Sequence, residues 1–150
     1  MGKNSVWGRR RARRALVQAL YKWHMTGSAS VTIQKEFEDG ESLKEADTRF
    51  FAEALHRIIT THDVMDAEIA PLLADRAFKD LDPIEMAILR LGADELMHRP
   101  EVPYRVVIDE YVELAKTFGA EESHKYINGV LDKLARSARS VEVNAHRRPG

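Results

Sequence analysis

Five arginines, Arg9, Arg10, Arg11, Arg13 and Arg14, fall within six residues and lead into an amphipathic segment. Each guanidinium is permanently charged and offers a planar fork of donors that matches phosphate, so this cluster is suited to anion recognition. At about 3.6 residues per turn, Arg10, Arg14, Val17 and Tyr21 project to one side. Arg11 and Gln18 flank them, opposite an apolar stripe centred on Ala12, Ala19 and Trp23. A ring among arginines suits single-stranded nucleic acid: cations meet phosphates, and a base stacked on an aromatic side chain contributes about 1–3 kcal/mol. Cations crowded near a helix N-terminus also oppose its dipole, at about 0.3–1 kcal/mol each, and an external anion relieves that repulsion. The competing reading is that carboxylates elsewhere in the chain neutralise the cluster.

A second, weaker constellation lies near the C-terminus. Lys125, Gly129 and Lys133 are spaced by four, and Tyr126 flanks them. A glycine inside a helix costs about 0.8–1 kcal/mol relative to alanine. Something must therefore approach Gly129 closely, either a ligand or a neighbouring helix, and the spacing favours neither.

Charge distribution supports a polyanionic partner. The first thirty residues hold seven Lys/Arg and no Asp or Glu, leaving sixteen basic against twenty-four acidic side chains in the rest. The near-neutral total of −1 hides this split. Catalysis finds no support. The chain has no cysteine, which removes thiolate nucleophiles, thiolate metal sites and disulfides. No phosphate-cradling glycine loop, GxSxG or HExxH appears. His56 and His62 stand on different helix faces, and Ser123 and His124 are neighbours whose side chains diverge. The chain is expected to be no enzyme and to need no metal or cofactor.

The elements that must position these residues are helical. At 150 residues the chain suits one compact domain or two small lobes. Ala12, Ala15, Leu16, Ala19, Leu20 and Trp23 mark a first amphipathic helix, stopped by Gly27, Ser28 and Ser30. A short helix over 31–39 and a longer one from about Asp47 follow, the latter ended near Pro71. Asp82-Pro83-Ile84-Glu85 has the form of a capping box. Pro103 opens the next helix, and Gly119 stops it by its access to positive φ. The last helix starts near Ala120, with Glu121 and Glu122 in its first turn. The expected organisation is a flexible segment over 1–8, an all-helical domain over 9–139 and a disordered tail over 140–150. No apolar run reaches the length of a membrane span, so a cytoplasmic protein is expected.

Three stretches resemble the NusB family of bacterial transcription antitermination factors: RRRARRALVQALYKW (9–23), LDPIEMAILRLGADEL (81–96) and VPYRVVIDEYVELAKTFGAEESHKYINGVLDKLAR (102–136). The resemblance implies an all-α fold of six to seven helices in two perpendicular three-helix bundles. It also implies binding of boxA-type leader RNA of ribosomal RNA operons, together with NusE, a small-subunit ribosomal protein, on the RNA polymerase elongation complex. By that resemblance Arg10, Arg11, Arg13, Gln18 and Tyr21 belong to an RNA-binding arm, which Arg9 and Arg14 extend. Phe118 to Gly129, with Glu122, Lys125 and Tyr126, forms a second RNA-contacting region. Glu85 faces NusE, although a capping role explains it equally well. Arg14 and Lys22 make this arm more basic than in many relatives, and Asp94 stands where an aromatic or apolar residue is usual.

The leading reading is thus an RNA-binding antitermination factor. A second is a protein–protein adaptor or homodimer, motivated by Val17 on the outward side. A third connects the chain to the helical domains of RNA cytosine methyltransferases, without room for their catalytic domain.

Overall fold

The computed structural model describes residues 6–147 as seven α-helices: α1 (Val6–Thr26), α2 (Ser30–Asp39), α3 (Thr48–Ile69), α4 (Pro83–His98), α5 (Tyr104–Phe118), α6 (Ser123–Ala138) and α7 (Ser140–Arg147). Short 3-10 turns cover Ala70–Leu72 and Phe78–Asp80. The described residues contain no strand, so the fold is all-α. The chain divides into two compact units, residues 1–62 and 63–150.

In the first unit α1 and α2 pack together, and α3 supplies the third wall. Gly27 ends α1 in the left-handed region at φ 68°, its N–H donating to the Trp23 carbonyl. Asp47 caps α3 by accepting from the Phe50 N–H at 3.0 Å. Its own N–H donates to the Gly8 carbonyl at 2.9 Å, tying the cap to the start of α1. Both histidines are structural. His56 joins α3 to α2 through Ser30 and Gln34, each 2.6 Å from one ring nitrogen. His62 meets Trp23 edge to face with centroids 4.9 Å apart.

In the second unit α4 is central, buried along nearly its whole length from Glu85 to Leu96. Asp82 and Glu85 make the capping box that the sequence implies. Gly92 matters for a reason that periodicity does not reveal. A Cβ there would lie 2.7 Å from the Leu131 methyls, so α4 and α6 approach at this point only because the side chain is missing. Arg90 makes two hydrogen bonds to Asp66, at 2.9 and 2.7 Å, anchoring the end of α3 to α4.

Several expectations change. The tail is not disordered from residue 140: Ser140–Arg147 is helical, Val143 is buried, and Glu142 accepts from the Tyr104 N–H at 2.8 Å, capping α5. The preceding Arg139 donates to the carbonyls of Leu96, Val102, Glu95 and Arg99 and to Glu142. A buried guanidinium with all its donors satisfied pins the start of α7 to the C-terminal end of α4, where positive charge is favoured. Likewise α1 begins at Val6, inside the segment expected to be flexible. Residues 1–5 and 148–150 of those two segments lie outside the described residues. Gly119 does not adopt positive φ. It is extended at φ −89°, and a Cβ would lie 2.7 Å from the Ala115 carbonyl, so close approach selects the glycine. The left-handed residue is Glu122 at φ 72°, and α6 starts only at Ser123, leaving Glu121 and Glu122 ahead of the first turn. Asp94 is buried within α4 although its side chain is polar.

Gly92→Ala should destabilise the protein, because the overpacking cost of about 1–3 kcal/mol exceeds the gain in helix propensity of about 1 kcal/mol. Urea unfolding followed by circular dichroism measures it. A midpoint equal to or above wild type would show that Leu131 yields freely.

Candidate nucleic-acid interface

The first unit divides the arginine cluster by direction. Helix α1 is walled by α2 and α3, so it needs a wide apolar arc rather than a narrow stripe, and that arc takes in Ala12, Leu16, Val17 and Leu20. Val17 is therefore fully buried, not outward-facing. Arg13 follows the same arc, one turn before Leu16 and Val17, and only 3% of it is exposed. Its guanidinium lies 5.3 Å from the centroid of the Phe50 ring. Arg9 approaches the same ring at 4.9 Å and Asp47 at 3.8 Å. Two of the five arginines thus hold the N-terminal turn of α3. For them the neutralised-cluster reading is largely correct, and Arg13 in particular does not present its charge to a ligand.

Arg10, Arg11, Arg14, Gln18 and Tyr21 are all exposed and fall on one outward stripe of α1. Tyr21 is 41% exposed, a ring at the far end of a basic row. Arg11, Arg14 and Gln18, with Ala15 and Ser42, line a cavity of about 210 Å³. Its wall joins α1 to the segment between α2 and α3, and its guanidinium, amide and hydroxyl groups are all able to donate to an oxyanion. Ser42 escapes sequence reasoning because nothing local sets it apart from other polar loop residues. Trp7 escapes it as well, being assigned to a flexible segment. It lies one turn before Arg10, whose guanidinium stands 5.1 Å from the Trp7 ring centroid. Extending the outward stripe back by one turn would have found it. Lys22 is ion-paired with Glu36 of α2.

In the second unit, Phe118 is half-buried at the end of α5, and the exposed carboxylate of Glu122 pairs with Lys125 at 2.9 Å. Tyr126 is half-buried, with Arg76 4.7 Å from its ring centroid and its hydroxyl donating to the Leu73 carbonyl at 3.0 Å. That hydroxyl is committed to the fold, and burial raises its pKa above the ordinary tyrosine value. Gly129 resolves the earlier ambiguity. Among the described residues, no atom outside the backbone of α6 itself lies within 4 Å of the position a Cβ would take, so no described neighbouring helix accounts for the glycine. Lys133 is exposed one turn further along α6.

Glu85 is 5% exposed, which departs from its expected partner-facing role. Its carboxylate accepts from Arg76 at 2.7 Å and from Ser123 at 3.1 Å, and Asp82 and Glu85 complete the capping box. These interactions leave the carboxylate occupied inside the second unit. Burial pushes its pKa up, but the hydrogen bonds from Arg76 and Ser123 and the Arg76 charge outweigh that and hold it below the ordinary value. Arg76, missed in the sequence, is correspondingly raised by its hydrogen bond to Glu85.

Among the described residues no group of His, Asp or Glu is placed to hold a metal ion, and no helix is long and apolar enough to cross a membrane.

Comparison with known proteins agrees on one family. The model of the NusB family matches residues 10–136. A protein of Chromohalobacter salexigens named transcription antitermination protein NusB is 51% identical, covering 93% of this chain and 92% of its own. One of the same name from Legionella pneumophila (strain Corby) is 43% identical, over 96% and 97%. The solved structure of T. maritima NusB superposes with a TM-score of 0.78 at 26% identity, covering 90% of this chain and 96% of that one.

Two predictions follow from the geometry. Arg13→Ala should lose about 1–2 kcal/mol of stability through its ring contact and buried stem, whereas Arg11→Ala should stay within about 0.5 kcal/mol of wild type. Thermal unfolding of the two variants checks this, and equal losses would remove the inward–outward division. For Glu85 the lowered pKa contributes stability that is fully present above the unfolded carboxylate value of about 4.3 and is lost as pH falls through the folded value. Glu85→Gln should therefore flatten the acid limb of the stability profile below about pH 4.5. Denaturant midpoints measured from pH 6 down to about pH 3 test it.

Proposed function

The chain belongs to the NusB family of transcription antitermination proteins, and from that premise we propose that it binds single-stranded boxA-type leader RNA through the outward face of α1. Five exposed side chains carry the reading: Arg10, Arg11, Arg14, Gln18 and Tyr21 share one stripe, while Arg9 and Arg13 turn inward to hold α3. Phosphates meet the guanidinium groups and supply affinity. Unstacked bases meet Tyr21 and supply preference. The cavity of Arg11, Arg14, Gln18 and Ser42 is suited to one phosphate. Exposed residues of the second unit, Lys125, Gly129 and Lys133, form a further RNA-contacting surface, with Gly129 allowing the backbone of α6 close access.

In this reading the protein catalyses nothing and needs no cofactor. It works in the cytoplasm as a heterodimer with NusE, placing leader RNA on the RNA polymerase elongation complex. The buried carboxylate of Glu85 supports this partnership only indirectly, by holding the start of α4 in place. A homodimer has lost its motive, since Val17 is enclosed within the first unit.

Titration of a short boxA-type RNA against a scrambled control, with and without NusE, tests the proposal. Log affinity should fall with log salt at about −0.7 per neutralised phosphate, and Arg10→Ala with Arg14→Ala should make the slope shallower by about 1.4. Equal affinity for both RNAs in the presence of NusE would reject specific recognition. An unchanged slope in the double variant would remove the α1 face from the interface.

A further inference from the structure

We infer that Trp7 is a base-stacking platform that extends the RNA-binding face of α1 by one turn toward its N-terminus. The inference rests on the reading of α1 as an RNA-binding face and adds to it a residue that neither the arginine cluster nor the family match includes, since the match begins at residue 10. Trp7 is 68% exposed, although tryptophan carries the largest apolar surface of any side chain and is highly buried on average. It stands at the head of the outward stripe, with Arg10, Arg11, Arg14, Gln18 and Tyr21 following at i+3, i+4, i+7, i+11 and i+14. All six side chains are exposed. The stripe therefore carries an aromatic ring at each end and cations between, the combination by which single strands are bound without duplex grooves.

Local geometry favours stacking over other uses of an exposed indole. The Arg10 guanidinium 5.1 Å from the ring centroid engages one face of the indole and steadies it, so less rotamer freedom is lost when a planar ligand arrives. The same cation lies within reach of the phosphate attached to a base on that ring. Trp7 and Tyr21 are fourteen residues apart, about 21 Å along the helix axis at 1.5 Å per residue, so they cannot serve the same base. The strand they engage spans the whole basic row. A second copy of this chain is the poorer occupant, because docking two such stripes would oppose Arg10, Arg11 and Arg14 with their own kind, and like-charge juxtaposition is costly.

The test uses the full chain and a fluorescently labelled oligouridylate about twelve nucleotides long, with inorganic polyphosphate as an anion lacking bases. Trp7→Ala should weaken RNA binding on the order of 5- to 100-fold, with Trp7→Phe recovering most of the loss and the salt slope unchanged in both. In a Trp23→Phe background, where Trp7 is the remaining indole, emission should be quenched by the RNA and not by polyphosphate. Wild-type affinity in Trp7→Ala, with Arg10→Ala plus Arg14→Ala still weakening binding, would overturn the Trp7 assignment and leave the basic face standing. Failure of the wild-type protein to bind RNA at all would overturn both. Quenching by polyphosphate equal to that by RNA would show that the ring senses charge rather than a base. A Trp7 emission shift that follows protein concentration without RNA, together with a dimer in sedimentation that Trp7→Ala abolishes, would hand the residue to self-association.

Discussion

The packing of Arg9 and Arg13 against Phe50, beside the Asp47 cap of α3, sets the rotation of α1 about its own axis. A helix of this kind has an apolar arc but no fixed angle until something polar commits it, and here two guanidiniums and one carboxylate do so. Cation–π attraction gains when the cation is partly removed from water, as Arg13 is. Asp47 accepts from the Phe50 N–H, donates its own N–H to the Gly8 carbonyl and stands near Arg9, so one residue joins the start of α3 to the start of α1. With the inward arginines committed, Arg10, Arg11 and Arg14 have only the outward side left. The direction of the proposed RNA-binding face is a consequence of that packing.

Polar burial organises the second unit too, with different partners. Glu85 gathers Arg76 and Ser123, and Arg76 in turn lies over the Tyr126 ring. Arg139 spreads its donors over the carbonyls at the end of α4 and the following turn. In each case a buried charge is surrounded by partners of opposite or complementary polarity, the condition under which burial of an ion is tolerated. Such networks fix which helix ends meet, whereas apolar contacts such as Leu131 against Gly92 set how closely the helices approach. Residues that resemble an RNA-contacting or partner-facing set in the sequence therefore separate into two kinds. Tyr126 and Glu85 are bound into the fold, while Lys125, Gly129 and Lys133 remain on its surface.

Much of this was readable from spacing alone. The order of the first six helices, the capping box at Asp82, the Gly27 stop and the outward grouping of Arg10, Arg14 and Tyr21 all follow from local rules of periodicity and capping, which depend on neighbours within one or two turns. The corrections share a cause as well. Val17 and Arg13 lie at the edges of the apolar arc, where a wheel cannot tell one covering helix from two. Gly119 and Gly92 are glycines for reasons of contact: the Ala115 carbonyl within its own turn, and Leu131 from a distant helix. The tail reads as polar because Glu142 looks solvated until the N-terminus of α5 and the Arg139 side chain are placed beside it.

The amino-acid sequence by itself determined that the chain is all-helical with a cationic, aromatic-bearing first helix, because helix periodicity, caps and charge runs are properties of neighbouring residues. Tertiary structure alone decided which arginines serve the fold and which face water, and that none of the described residues from outside α6 crowds Gly129. Those outcomes depend on atoms contributed by segments remote in the chain, such as Phe50 for Arg13, or on the open space that such segments leave.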